Sequence, residues 1–329
     1  MLQFVGSGNF CSVHTQNPPS KHHYIPAFYL KRWEGQQDNK LTRFTKPFGS
    51  EIKSKRLKAD RTGFDEGLYK LEGYEPELAQ QVETNFFAPI DHEASKALGL
   101  LERFGHQANW TGDSRSAWTR FLLSLLLRCP EDIHSLREWC RNIVFDNPGP
   151  LAETQYSRAR DPDDYETFAE FLRNQPTAMK ERHQFEALYK LIDNAAVGRE
   201  INQMEWRVLE TPAAAPSLLT SDRPLIRTAS ICSPGAHIAL PIGPRHLFIA
   251  TPHLDVLASL QKADQTKLVK EINLHVVGAT SRFVYGFDER QLRFVKNHFG
   301  SKPQPRLVES ILIKLQYEPS NNSQTQKDK

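Results

Sequence analysis

The chain has 329 residues, of which 39% are hydrophobic and 25% are charged, with a formal net charge of +3. These values are typical of a globular protein that fills one large core or two smaller ones. They exclude an integral membrane protein, because the richest apolar run, residues 121–127, is far too short to cross a bilayer.

The spacing of the cysteines and the composition of the N-terminus bear on the cellular compartment in which the protein is expected. Cys11, Cys129, Cys140 and Cys232 are far apart and form no C-x-x-C pair, so the sequence predicts neither a zinc cluster nor a disulfide framework. This pattern favours the reducing cytoplasm. Residues 1–20 lack the basic start and continuous apolar stretch of a signal peptide, and we expect a disordered leader or a start codon placed too early.

The densest local pattern is Lys-His-His-Tyr-Ile-Pro at residues 21–26, followed by an aromatic-rich stretch up to residue 33. Pro26 predicts the first turn of a short amphipathic helix, where its missing N–H would have no partner anyway. His22 and His23 would then lie on the approach to the positive end of this helix. That position suits anion binding or proton transfer.

Charge is concentrated in the same region. Residues 21–61 contain eleven lysine and arginine residues and four acidic ones, a local charge of +7 that leaves −4 for the remainder. A basic lobe on a mildly acidic body predicts an anionic partner such as nucleic acid.

Alternation and turn residues predict the elements in chain order. In the basic lobe we expect short strands at residues 41–45, 51–53 and 67–71. In the middle we expect helices at 77–104 with an interruption at Pro89, at 113–128 with Asp113 as N-cap and Pro130 as terminator, and at 131–145, 165–173 and 179–196. After residue 205 we expect strands at 206–210, 217–220, 225–228, 236–241 and 246–251, a helix at 266–279, strands at 282–286 and 310–317, and a disordered tail at 318–329.

This order predicts an α+β fold, in which a central helical bundle is flanked by a small N-terminal basic sheet and a C-terminal mixed or antiparallel sheet. We expect one domain over residues 21–317. Within it, residues 21–75 form the basic β lobe, residues 76–200 are helical and residues 201–317 are mainly β.

Three separated stretches carry a family resemblance: residues 21–30, Leu-Thr-Ser-Asp-Arg-Pro at 219–224, and Glu-Ile-Asn at 271–273 with Arg-Phe-Val-Tyr at 282–285. Together they resemble the domain of unknown function 4238 family, found mostly in bacteria, over about residues 21–290. The resemblance implies an α+β domain and supplies no catalytic mechanism. The family usually has glutamine or a similar residue where this chain has Ala27, and often asparagine where it has Arg223.

His22, His23 and Asp222 are the candidate catalytic residues. Histidine can act as base, acid or metal ligand, and only one of two neighbours is expected to face a site. The alternative is a capping or core histidine. Asp222 follows a strand at a turn, where its carboxylate could orient a histidine, hold a divalent metal, or cap backbone N–H groups.

The remaining candidates are binding residues. Arg128 ends the most apolar helix and is either a buried anchor or an anion clamp. Asn273 either contacts a ligand or ties its helix to the sheet, and we favour the tie. The basic run that includes Lys53, Lys55, Arg56 and Lys58 is either a solvated face or a phosphate-binding surface without sequence readout.

Two functions remain open, since no P-loop, nucleophile elbow or zincin motif occurs. The first is a nuclease-like enzyme that acts on phosphodiesters with His22 or His23 and Asp222 beside the basic lobe. The second is a non-catalytic module that binds nucleic acid or another anionic partner, in which these motifs are structural.

Overall fold

The computed structural model describes residues 20–141, 145–146, 148–228 and 235–308. The expected leader apart from Ser20, the strand predicted at 310–317 and the tail at 318–329 lie outside these ranges. The expectation of a single domain over residues 21–317 stays a prediction.

The N-terminal motif forms a strand and a helix. Strand β1 (Lys21–His23) pairs antiparallel with β4 (Phe64–Glu66), and Pro26 leads into α1 (Ala27–Leu30), which continues as a 3-10 turn over Lys31–Trp33. The predicted helix is therefore confirmed. The strand predicted at 67–71 is wrong, because Gly67 adopts a φ of +65° and turns the chain there.

Strands β2 (Leu41–Thr45) and β3 (Lys53–Leu57) form an antiparallel hairpin. The first matches the prediction, whereas the second begins at Lys53, where the predicted strand was to end. The basic run is thus a strand in its own right.

Helices fill the middle of the chain. They are α2 (Pro76–Ala79), α3 (Ala88–Phe104), α4 (Gly112–Leu125), α5 (Pro130–Trp139), α6 (Pro150–Ala159), α7 (Phe168–Arg173), α8 (Thr177–Ile192) and α9 (Ala195–Gln203). Short turns of 3-10 helix at Ala59–Arg61 and Gly105–Gln107 precede β4 and α4.

Three boundaries differ from the prediction for local reasons. The long helix breaks at a π-helical turn, Glu83–Phe87, while Pro89 lies harmlessly in the first turn of α3. Thr111, not Asp113, caps α4, because it exchanges hydrogen bonds with Ser114. Pro130 opens α5 instead of ending α4.

The C-terminal part mixes strands and helices. They are β5 (Glu205–Glu210), β6 (Thr220–Ser221), β7 (Ile226–Arg227), β8 (Ile238–Pro241), β9 (His246–Thr251), α10 (Leu254–Lys262), α11 (Gln265–Ala279), β10 (Phe283–Gly286) and α12 (Leu292–His298). Helices α6, α9, α10 and α12 were not predicted.

The sheet topology joins the two ends of the chain. One four-stranded antiparallel sheet has the order β3-β2-β10-β6, and the other has the order β5-β9-β8-β7. In the first sheet Arg43 lies opposite both Lys55 and Tyr285, and Thr45 lies opposite Lys53 and Phe283. The α+β class is confirmed, and the N-terminal hairpin is completed by strands from beyond residue 219.

The first sheet lies between two apolar clusters. Tyr285 on one face packs into the main cluster with Tyr24, Tyr29 and Trp33, whereas Phe44 on the other face packs into a smaller cluster with helices α11 and α12. Within the described ranges, no helix is both long and apolar enough to cross a membrane.

Gly63 lies in the turn that accepts the backbone hydrogen bonds of the N-terminal motif. Its carbonyl accepts the N–H groups of Tyr24 and Ile25, its φ is +71°, and a Cβ there would lie 2.8 Å from the Ile25 carbonyl oxygen. We expect Gly63→Ala to lower the free energy of unfolding by about 3 kcal/mol or more, because backbone strain and a backbone clash add. Urea denaturation measures it.

The control is Gly49→Ala in the β2–β3 turn, where φ is +59° but no atom lies within 4 Å of the new Cβ. This substitution should cost about 1 kcal/mol from backbone strain alone. Equal losses in the two variants would contradict the packing argument.

Candidate functional site

His22 is fully buried and its two ring nitrogens are hydrogen-bonded within the protein. The backbone N–H of Tyr69 donates to Nδ1 at 2.7 Å, so Nε2 carries the proton and donates to Gln80 Oε1 at 2.5 Å. The imidazole also stacks on the Tyr69 ring, with centroids 5.4 Å apart. His22 therefore ties β1 to the segment that precedes the helical bundle.

His23 points to the other face of β1, as alternation along a strand requires. Its ring meets Phe64 edge-on at 5.4 Å, and its buried Nε2 has no hydrogen-bond partner among the described residues. Burial, reinforced by the Arg128 charge, lowers the pKa of His23 to about 4. The imidazole is therefore neutral at pH 7.

Arg128 is a buried anchor beneath this strand. Its guanidinium makes a bidentate ion pair with Asp91 at 2.7 and 2.9 Å and donates to the His23 carbonyl at 2.6 Å. It also lies over the Phe87 ring, 4.6 Å from the centroid. Since the side chain has no exposed surface, its charge fixes the backbone of β1 and does not reach solvent.

Asp222 caps a turn. Its carboxylate accepts the hydroxyl of Thr280 and the backbone N–H groups of Ser281 and Arg282, the last at 2.7 Å. Burial raises the pKa of this carboxyl, and the Thr280 hydrogen bond acts against that effect. The role that these contacts define is to shape the turn between α11 and β10.

Arg282 connects this turn to the histidine motif. Its guanidinium binds Asp65 at 2.7 Å, and Asp65 lies opposite His22 in the β1–β4 ladder. Asp222 and the two histidines thus belong to one neighbourhood, linked through Arg282.

Arg223 joins the first turn of helix α5 to the α11–β10 turn that Asp222 caps. It approaches Asp132 at 3.1 Å and Glu131 at 3.3 Å, and its Nε donates to the Ser281 hydroxyl. Burial raises the pKa of Asp132 to about 6, and Arg223 opposes that shift. An asparagine at position 223, as is frequent in the family that the motifs resemble, would lack these ion pairs.

Asn273 ties α11 to the chain that enters β6. Its Oδ1 accepts the Leu219 N–H at 2.8 Å, and its Nδ2 donates to the Ser217 carbonyl and to Gln291. Its side chain is 1% exposed, so these contacts use it fully. The structure thus gives Asn273 the contacts of the structural tie.

The basic run divides between two faces. Arg56 donates to Asp38 at 2.8 and 3.0 Å, to the Lys40 carbonyl at 2.7 Å and to the Phe287 carbonyl at 3.0 Å. Its partners hold it within the protein. Lys53 and Lys55 alternate with it along β3, point to the opposite face and are exposed, as is Lys58 after the strand.

Cationic and aromatic side chains are interspersed on the surface formed by the Lys53 side of the first sheet and by the β1–β4 ribbon. We call this surface the cation–aromatic strip, and its members are Lys21, Phe64, His23, Arg282, Phe283, Arg43, Lys53 and Lys55. Both lysines of β3 are exposed and the other members are partly exposed.

Ring contacts join the members of the strip into two groups, which are linked by the ion pair between Arg282 and Asp65, the neighbour of Phe64. The Lys21 ammonium lies 5.0 Å from the centroid of Phe64, which also contacts His23. The Arg43 and Arg282 guanidinium groups lie 4.9 and 5.7 Å from the centroid of Phe283. Lys53 and Lys55 extend the strip, because cross-strand neighbours share a face of a sheet.

Sequence reasoning identified Lys53 and Lys55 of this strip but missed Lys21, Phe64 and Phe283 as surface partners. Phe283 joins Arg43 only because β10 pairs with β2, more than 230 residues earlier in the chain. No local pattern encodes that pairing. Among the described residues, no group of three His, Cys, Asp or Glu side chains is placed to hold a metal ion.

Glu83 in the π-helical turn provides a test of the buried charges around Arg128. Burial raises the pKa of Glu83 to about 7, against the Arg128 charge, and its Oε2 has no hydrogen-bond partner among the described residues. Because the folded-state pKa lies above the unfolded value, the folded state binds the proton more tightly, and stability falls as pH rises from about 4.5 to 7. We expect Glu83→Gln to be about 2–3 kcal/mol more stable than the parent at pH 8 and to differ little near pH 4.5.

Urea unfolding at several pH values measures this difference. Glu77→Gln, at an exposed position of α2, is the matched control and should follow the parent at every pH. Parallel curves for Glu83→Gln and the parent would show that the buried carboxyl does not take up the proton.

Comparison with known proteins gives a single family. No curated protein matches the chain, and no solved structure matches it. Residues 21–290 match the model of a family described as Protein of unknown function (DUF4238), a range that contains the strip, the Arg128 anchor and the Asp222 turn. The resemblance seen in the motifs is confirmed, and the chain belongs to the DUF4238 family.

Proposed function

We propose that this protein binds single-stranded nucleic acid along the cation–aromatic strip. The observation that carries the proposal is that cations and aromatic rings are interspersed on one accessible surface, with Phe64 and Phe283 each in contact with a cation. In this proposal the cations neutralise the backbone phosphates, and unpaired bases stack on the aromatic rings.

The rings favour a single strand over a duplex. Base faces are free for stacking only where bases are unpaired, whereas a duplex presents phosphates and base edges. Both phenylalanines are partly exposed, Phe283 on the sheet face that carries Lys53 and Lys55 and Phe64 on the β1–β4 ribbon.

Charge around the strip supports the same partner. The acidic groups beside the strip are Asp65, which is paired with Arg282, Asp60, which is close to His23, and Glu66, which lies opposite Lys21. Five cations against these three carboxylates leave a net positive surface. At the tip of the β2–β3 hairpin, Phe48 is 85% exposed and lies two residues after Lys46, which adds a further ring and cation at the end of the hairpin.

Removing charge from the strip should weaken binding in a salt-dependent way. We expect Lys53→Gln with Lys55→Gln to lower the affinity for a fluorescently labelled RNA oligonucleotide of mixed sequence by about tenfold. The slope of log affinity against log salt should fall by about 1.4, since each lysine neutralises one phosphate. Fluorescence anisotropy at several salt concentrations gives both values.

The matched control removes two exposed lysines of α11, Lys267→Gln with Lys270→Gln, and changes the net charge equally. A second arm, Phe64→Leu, should weaken binding about 5- to 100-fold with little change of salt slope, because it removes stacking and no charge. Equal effects of the two lysine pairs, or a parent protein that does not bind, would refute the proposal.

A second candidate is cleavage of the bound strand. The observation in its favour is the neutral ring of His23 within the strip, whose Nε2 has no partner among the described residues and could accept a proton if strand binding exposed this buried atom. Asp222 gives less support, because residues 280–282 already bind its carboxylate. Binding is therefore the better-supported function.

The cleavage candidate predicts that the parent shortens the oligonucleotide, in buffer with or without Mg²⁺, and that His23→Gln loses cleavage while it keeps affinity. Gel analysis of end-labelled RNA measures the products. Intact RNA after prolonged incubation with the parent, or equal cleavage by His23→Gln, would leave binding as the function.

A further inference from the structure

A groove of about 600 Å³ lies between the π-helical turn and helix α8, and the strip contributes none of its lining residues. Its size is within the range of about 300–1,000 Å³ that is usual for small-molecule sites. Four aromatic side chains line it, namely Tyr74, Phe86, Phe185 and Tyr189.

The π-helical turn creates the aromatic wall. It places Phe87 in the core, where its ring lies 4.4 Å from Tyr69, and Phe86 against α8. The Phe86 and Tyr189 rings are 4.1 Å apart at their centroids and both are only partly buried. Such turns are frequent at functional sites because they displace side chains from the helical register.

Uncharged polar groups also line the groove. The side-chain amide of Gln81 has no hydrogen-bond partner within the described part of the chain, and Asn85 has only the Thr84 hydroxyl, at 3.3 Å, on its Oδ1. The amide donors and acceptors thus stand beside flat apolar walls. A ligand with a hydrogen-bonding edge and an aromatic face would satisfy both.

The charges at the groove cancel. Arg182 and Glu186 are ion-paired at 2.8 Å, one helical turn apart on α8, so they offer no net charge to a ligand. The lining therefore has no net charge to attract an ionic ligand.

We propose that this groove binds an uncharged planar heteroaromatic compound of the purine nucleoside class. In this proposal the aromatic side chains stack on the fused rings of the purine, and the amides of Gln81 and Asn85 form hydrogen bonds with its polar edge. The volume favours a two-ring heterocycle with its sugar over a single ring. This site is independent of the nucleic-acid proposal, since no residue belongs to both.

The test is calorimetric titration of the full chain with adenosine. We expect saturable binding that Gln81→Leu, a substitution of similar size that removes the amide, weakens at least about fivefold. Gln261→Leu, at an exposed position of α10, is the matched control and should leave the affinity unchanged. Lys53→Gln with Lys55→Gln should also leave it unchanged, which separates this site from the strip.

Two further probes define the ligand class. Adenosine 5′-monophosphate should bind no more tightly than adenosine, because the charges of Arg182 and Glu186 cancel, and cyclohexanol should not compete. The proposal is overturned if adenosine does not bind, if Gln81→Leu binds as Gln261→Leu does, or if the monophosphate binds more tightly.

Discussion

The ion pair between Arg128 and Asp91 is the interaction on which the N-terminal motif depends. It lies in the core and joins the residues that follow α4 to α3, and the same guanidinium donates to the backbone carbonyl of His23. Removal of one partner of such a pair leaves an uncompensated charge and typically costs about 3–5 kcal/mol. The buried Arg128 guanidinium therefore holds the backbone of strand β1 in place. This restraint also fixes the direction in which the side chains of Lys21 and His23 point.

The other motif residues act in the same way, by placing their neighbours. Asp222 shapes the turn that presents Arg282, and Arg282 in turn binds Asp65 beside β1. His22 is locked between Tyr69 and Gln80. The densest sequence motifs thus form a buried polar frame, whereas the accessible chemistry belongs to the less distinctive side chains that this frame positions.

Local patterns predicted the elements whose causes are local. Pro26, the alternation in residues 41–45 and the apolar strand at 246–251 were sufficient for α1, β2 and β9. The strip could not be predicted, because it depends on the pairing of β10 with β2 and on which face of β3 points outward. Arg56 is an example. It is basic like Lys53 and Lys55, but successive side chains of a strand point to opposite faces of the sheet, and the sequence alone does not reveal which face of β3 is exposed.

The insertion of β10 between β2 and β6 also sets an order of events during synthesis. Strand β2 cannot gain its second neighbour until residue 286 has left the ribosome, so the earlier part of the chain waits with one edge of the hairpin unpaired. Contacts of such long sequence separation close slowly and leave strand edges open to other chains meanwhile. A nascent or truncated chain that lacks β10 therefore carries Lys53, Lys55 and Arg43 without the Phe283 ring, and this part of the strip would offer charge alone.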